Sequence, residues 1–325
     1  MRVNWLTGIK IAIQLIYETP RPLSSTTAGA PAPMLLLQLA INGVLVGALY
    51  TCVALGFSII WGVMNLINLA HGTMIMAGAY LTFLLYTTLG LDPFLSIPLS
   101  AAALFVVGYG LQQYVINLVL RGSPFLTLIL TFGFDILFIN LLLALFTADT
   151  RSVTTAYSGL GLASGSLIVP YIRIGVCVVA LVLTYLLHVF LTRTRVGNAI
   201  RATSFDREAA QLVGVETSRV FSLTFAIGAA MAGATGALVA TTYSFSPVLG
   251  ATFTMKAFVI VILGGLGSVP GAILGGFTLG IAEHVSTLVV GPGLQEGIGF
   301  VVLLVVLVLR PAGLLGKQFY AEIRA

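Results

Sequence analysis

The chain has 325 residues, 58% of them hydrophobic and 8% charged, with a mean hydropathy of +1.09. A soluble domain carries about 25% charge, so a water-soluble globule is excluded and a multi-span membrane protein is implied. The net charge of +5 and pI near 9.4 do not indicate a nucleic-acid partner, because the basic residues are scattered beside apolar segments, where they act as topology signals.

Each spanning helix needs about 20 apolar residues, which gives one membrane domain over residues 34–316. Residues 1–33 are a polar extension read as cytoplasmic, like the tail at 317–325. TAGA before Pro31 resembles a signal-cleavage site, although the first span can target the chain by itself. Apolar runs then follow at roughly 34–55, 56–89, 95–119, 124–147, 168–191, 220–243, 254–290 and 295–309. The pattern predicts an all-α polytopic protein with about eight transmembrane helices.

The second and seventh runs exceed one span, and each is interrupted, by NLINLAHG (65–72) and by LGGLGSVPG (263–271). Flanking halves of about ten residues would each cover about 15 Å, half a bilayer. Two broken or re-entrant segments are therefore expected. They should face the interior, since irregular backbone at membrane depth must find partners in protein or water.

In the first break Asn65, Asn68 and His71 recur at every third residue, which on a helix makes one polar face. With Gly72 they either line a translocation pathway or brace the break, or simply bond neighbouring helices. Gly264, Gly265, Gly267 and Gly271 carry the same two readings in the second break. The spacings Gly271 to Gly275 and Gly276 to Gly280 suit close helix packing, whereas a helix resuming near Gly267 can aim N-terminal amides at a substrate carboxylate. No lysine follows these glycines, so they are not a phosphate-binding loop. Asp135, alone within the fourth run, must face the interior, be protonated or find a donor.

The largest hydrophilic segment is the loop 192–219, which reads as one or two short surface helices or as a charged connector. With this loop in the cytoplasm, and each long run counted as a half-helix plus a span, only Arg151, Arg173 and Lys256 among the 15 basic residues fall outside. Both termini are then expected inside. Runs one to three also match runs six to eight in order and direction, an approximate internal repeat. Cys52 and Cys177 form no CxxC pair, and His71, His188 and His284 are scattered. Neither a metal site nor a catalytic constellation is expected.

EAAQLVG within the loop resembles the EAA-xxx-G motif of ABC importer permeases, whose coupling helix docks on the ATPase. Glu208, Ala209, Ala210 and Gly214 match it one for one, without the usual proline-containing ending. Together with GFSIIWGVMNLINLAHG, RTRVGNAIRATSFDREAAQLVGV, AIGAAMAGATGAL and VILGGLGSVPGAILGG, residues 34–316 resemble the inner-membrane permease subunit of bacterial importers for branched-chain or other hydrophobic amino acids. The resemblance implies a second, related permease subunit, two cytoplasmic ATPase subunits and a periplasmic substrate-binding protein. ATP and Mg would sit on the ATPases, with no cofactor in this chain. Coupling would run through the matched residues, with Arg207 placed to pair with partner charges. Urea or short-chain amide permeases share these patterns and remain an alternative. From another class, a passive channel or secondary carrier would work without partners, though few buried acids are visible for ion coupling.

Overall fold

The computed structural model describes residues 32–119, 124–164 and 167–315. The N-terminal extension up to residue 31, Arg121 and the C-terminal tail lie outside the described residues. The chain is almost entirely helical, because backbone in lipid has to satisfy its own hydrogen bonds.

In order the helices are α1 (Ala32–Met64), α2 (His71–Leu89), α3 (Pro93–Val119, with a π turn at Gln112–Ile116) and α4 (Pro124–Phe146). A short hairpin of β1 (Gly161–Ser164) and β2 (Leu167–Pro170) leads to α5 (Tyr171–Arg193), and the surface helices α6 (Arg195–Phe205) and α7 (Arg207–Leu212) follow. The chain closes with α8 (Thr217–Thr242), α9 (Gly250–Gly264), α10 (Val269–Val290) and α11 (Gln295–Leu309). Among the described residues eight helical spans are long and apolar enough to cross a membrane, and α11 is a shorter apolar helix.

α1 departs from the sequence reading. It fuses the first apolar run with the front half of the second into one helix of 33 residues. No proline interrupts it after its first turn. Its glycines are sites of close approach instead: Gly43 lies against Gly280, Gly47 against Gly276 and Gly56 against Gly228. The helix stops at Asn65, which adopts the left-handed conformation with φ of 51°.

Fusion of the two runs fixes the direction of every later element. α1 lies parallel to α5, tied by Gln38 Nε2 donating to the Ile168 carbonyl (2.8 Å), Arg173 donating to Asn42 Oδ1 (3.1 Å) and Cys52 Sγ donating to the Ala180 carbonyl (3.3 Å). α5 delivers the chain to α6 and α7, so the start of α1 lies on the face opposite that loop. At the other end, Leu314 N–H donates to Leu263 at the close of α9 (2.8 Å), on the loop face. The two ends of the described chain therefore lie on opposite faces, whereas the sequence reading starts the first span on the loop face. Arg193, Arg195, Arg201, Arg207, Arg219 and Arg310 gather at the loop face, and Arg151 and Arg173 at the other. The basic asymmetry persists among the described residues. Lys256, expected outside, is instead inside the bundle.

The repeat is inverted. α1 to α4 run toward the loop face, away, toward and away, whereas α8 to α11 run away, toward, away and toward. α10 packs along α1, and α3 packs along α8 with Gly233 against Ser100 and Gly108 against Ala229. At the centre, the first turns of α2 and α9 touch at Gly72 and Gly250 and diverge in opposite directions. The counterpart of the break at 65–70 is therefore the segment 243–249, and not 263–271. Phe245 anchors that segment by stacking edge-on against Tyr80 and Phe83 and pairing its backbone with Arg151. On the same face, the Tyr157 hydroxyl donates to Asp92 at 2.8 Å. Burial, and then this bond, push the hydroxyl up to about 12, so it remains a donor at ordinary pH.

Candidate functional site

The first break begins at Asn65, whose side chain is exposed at the end of α1. Residues 65–68 are not helical, so Asn65, Asn68 and His71 do not share a helix face. Asn68 and His71 are instead buried among helices. His71 Nε2 lies 2.9 Å from the Val53 carbonyl. A carbonyl only accepts, so Nε2 carries the proton and donates. Val53 precedes the end of α1 by about three turns, which places the start of α2 about 16 Å inside the bundle.

Irregular backbone at that depth must find local partners, and it does. Asn68 Oδ1 accepts from Ala70 N–H (3.2 Å), Thr131 Oγ1 donates to the Ile67 carbonyl (3.0 Å), and Thr254 Oγ1 donates to the Leu69 carbonyl (3.2 Å). The same Thr254 oxygen accepts from Gly72 N–H at 2.8 Å. Thr73 donates to Asp135 Oδ1 at 2.7 Å, so the isolated acid finds a donor in the first turn of α2. Its carboxylate thus sits at the positive end of the α2 dipole. Gly72 is packed so closely that a Cβ would run into the Gly250 carbonyl oxygen. The first break therefore braces the crossing of α2 and α9.

In the second break Gly265 and Gly267 adopt φ of 105° and 74°. Gly264 lies backbone to backbone with Gly271, and Gly267 meets Gly62 of α1. α10 is capped from within, with Ser268 Oγ accepting from Gly271 N–H at 3.1 Å. Leu315 N–H bonds to the Gly264 carbonyl at 3.0 Å, beside the Leu314 bond already described. Close packing thus accounts for these glycines, and the amides at the start of α10 face protein.

The 192–219 loop forms the two short helices that its sequence suggests. Thr194 caps α6 by accepting from Gly197 N–H (2.9 Å), and Asp206 caps α7 by accepting from Ala209 N–H (2.9 Å). Gly214, with φ of 88°, ends α7. Val215 N–H reaches back to Ala210 and Gly214 N–H to Gln211, both at 3.0 Å, which satisfies the last carbonyls. Arg207 lies 4.9 Å over the Phe221 ring, so this guanidinium is held against its own bundle. Ala210 is 3% exposed and faces inward. The exposed side of α7 carries Glu208 and Ala209, followed by Leu212 and Val213, which are 89% and 80% exposed.

A further cluster was not anticipated from the sequence. Lys256 of α9 donates to both oxygens of Glu283 of α10 (2.8 and 2.9 Å) and to the Tyr50 hydroxyl (2.9 Å), and Tyr50 donates to Glu283 Oε2 (2.7 Å). The pair is largely hidden, with side chains 12% and 2% exposed. It lies on the floor of a cavity of about 270 Å³ between α9, α10 and α11. The only signal in the sequence was one isolated charge in each half of the seventh run. Their partnership appears once the chain folds back at 265–267. Among the described residues no group of three or more His, Cys, Asp or Glu side chains is placed to hold a metal.

Comparison with known proteins adds the remaining facts. A family model described as branched-chain amino acid transport system / permease component matches residues 39–309. The high-affinity branched-chain amino acid transport system permease protein BraD of Pseudomonas aeruginosa is 32% identical, over 86% of this chain and 96% of its own length. The corresponding permease protein LivH of Escherichia coli K12 is 31% identical over the same shares. A second kind of permease from that organism, LivM, is 27% identical over 73% of this chain and 61% of its own.

Proposed function

This chain belongs to the family of permease components of branched-chain amino acid transport systems, and from that premise we propose that it imports branched-chain or other hydrophobic amino acids as one half of an ATP-driven permease pair. It is a multi-pass membrane protein and a transport component rather than an enzyme. In the proposed assembly the sister subunit is a related permease, as LivM is related to this chain. Two cytoplasmic ATPases bind ATP and Mg, and a periplasmic binding protein delivers the solute. The loop face is cytoplasmic, the membrane is the bacterial inner membrane, and the passage opens alternately to its two sides.

The observation that carries this reading is the tip of α7. Leu212 and Val213 stand almost fully exposed on the arginine-rich face, where they meet water rather than lipid. An apolar tip in that position fits a protein partner. Asp206 and Gly214 hold α7 rigidly enough to transmit a push. Leu212→Arg should leave the chain inserted and paired with its sister permease while the ATPases are lost on purification and uptake falls to background. Retention of both ATPases with wild-type uptake would remove α7 as the coupling element.

A further inference from the structure

We propose that the cavity above the Lys256–Glu283 pair is a binding site for the zwitterionic cargo, a free amino acid with an aliphatic side chain. This inference rests on the amino-acid import proposed above and adds where the permease holds its solute.

The floor of the cavity presents a cation and an anion in direct contact, Lys256 Nζ and the Glu283 carboxylate. A free amino acid carries the same two charges on one carbon. Its carboxylate can take one of the Lys256 N–H groups while its ammonium takes the Glu283 oxygen so released. The four charges then alternate in sign, and a zwitterion leaves unchanged the net charge of a lining that holds Lys256, Glu283 and, at its exposed rim, Glu296. A lone anion or cation at this depth would add a net charge to a low-dielectric site, which is costly. The geometry thus selects for a molecule with both charges. Tyr50, bonded to both members of the pair, keeps them in register on the α1 side.

The walls read the other half of the ligand. Met255, Val259, Leu279 and Phe300 line the cavity, giving an apolar surround for an aliphatic side chain. A volume of about 270 Å³ falls just below the ~300 Å³ at which pockets for drug-sized ligands begin, so the space suits something smaller. Depth agrees as well. Glu283 precedes the end of α10 by about two turns, about 10 Å, and that end lies on the face opposite α7. On the proposed orientation this is the side from which solute arrives.

The test uses the assembled transporter in lipid nanodiscs and L-photo-leucine, a leucine carrying a diazirine on its side chain. Irradiation should label peptides from α9 or α11, and leucine should compete the label away. 4-Methylpentanoate and 3-methylbutylamine, each lacking one charge, should compete at least about tenfold more weakly, the factor that about one charge-assisted hydrogen bond supplies. The Lys256→Met/Glu283→Gln double variant, which leaves no unpaired charge, should lower competable labelling by a similar factor. Val259→Phe, which fills the cavity and keeps the pair, should raise the KM for leucine uptake more than that for alanine. Competable label elsewhere in the chain, or equal competition by 4-methylpentanoate, would overturn the proposal while leaving amino-acid import intact. If the wild-type transporter takes up urea or a short amide and no aliphatic amino acid, both readings fall.

Discussion

Glu283 and Lys256 are costly residues to place in a membrane bundle, and neither is tolerable there alone. Removing one partner of a buried pair costs about 3–5 kcal/mol, because the other charge is left without compensation. Glu283→Ala should accordingly lower the thermal stability of the purified permease sharply, and Lys256→Met/Glu283→Gln should recover most of the loss. If the single variant unfolds at the wild-type temperature, the pair is not holding α9 to α10. Gly72 responds for a different reason. Its place is defined by the Gly250 carbonyl and Thr254, so Gly72→Val should leave little folded protein in a size-exclusion profile rather than a folded but inactive one. Normal assembly of that variant would show that α2 and α9 can separate. Asn68 and His71 were legible in sequence because amide and imidazole stand out in an apolar run. Bracing was one of the readings they allowed, but the partners were not legible, because Thr131 and Thr254 are ordinary hydroxyl residues from helices far away in the chain.

Among the elements, α7 was the most legible and α1 the least. Asp206 before the α7 helix and Gly214 after it are local signals, and local signals survive folding. The orientation of its residues was not readable over so short a helix, so Ala210 turned inward where Ala209 and Leu212 turn out. α1 was misread because hydropathy shows that backbone is apolar without showing where one helix ends. At 55–56 the sequence offers only Leu-Gly, and a glycine inside an apolar helix is tolerated when a neighbour packs on it. The real stop, Asn65, resembles any polar residue in a break until its left-handed conformation is seen. The counterpart segment at 243–249 was missed for the same reason, since only Pro247 and the two serines before it mark it.

For the molecule as a whole, the helical class and the span count followed from composition, but the relation between the two halves did not. Periodicity and charge are nearly blind to inversion, and a single miscounted crossing reverses the first element. The corrected arrangement can be checked by labelling single cysteines in intact cells. Met34→Cys and Ala156→Cys should react with an impermeant reagent from one side, and Ala202→Cys only from the other. Reaction of Met34→Cys from the Ala202 side would restore the original topology and break the inverted repeat. The bonds from Leu314 and Leu315 to Leu263 and Gly264 bear on something else, the order of synthesis. The carbonyls at the end of α9 acquire these partners only from residues made about fifty positions later, after α10 and α11 have been synthesised. Until the ribosome has passed residue 315 the loop face stays unsealed at the second break, so a chain stopped after Arg310 should insert all its helices and yet be cleared by membrane proteases faster than the full-length protein.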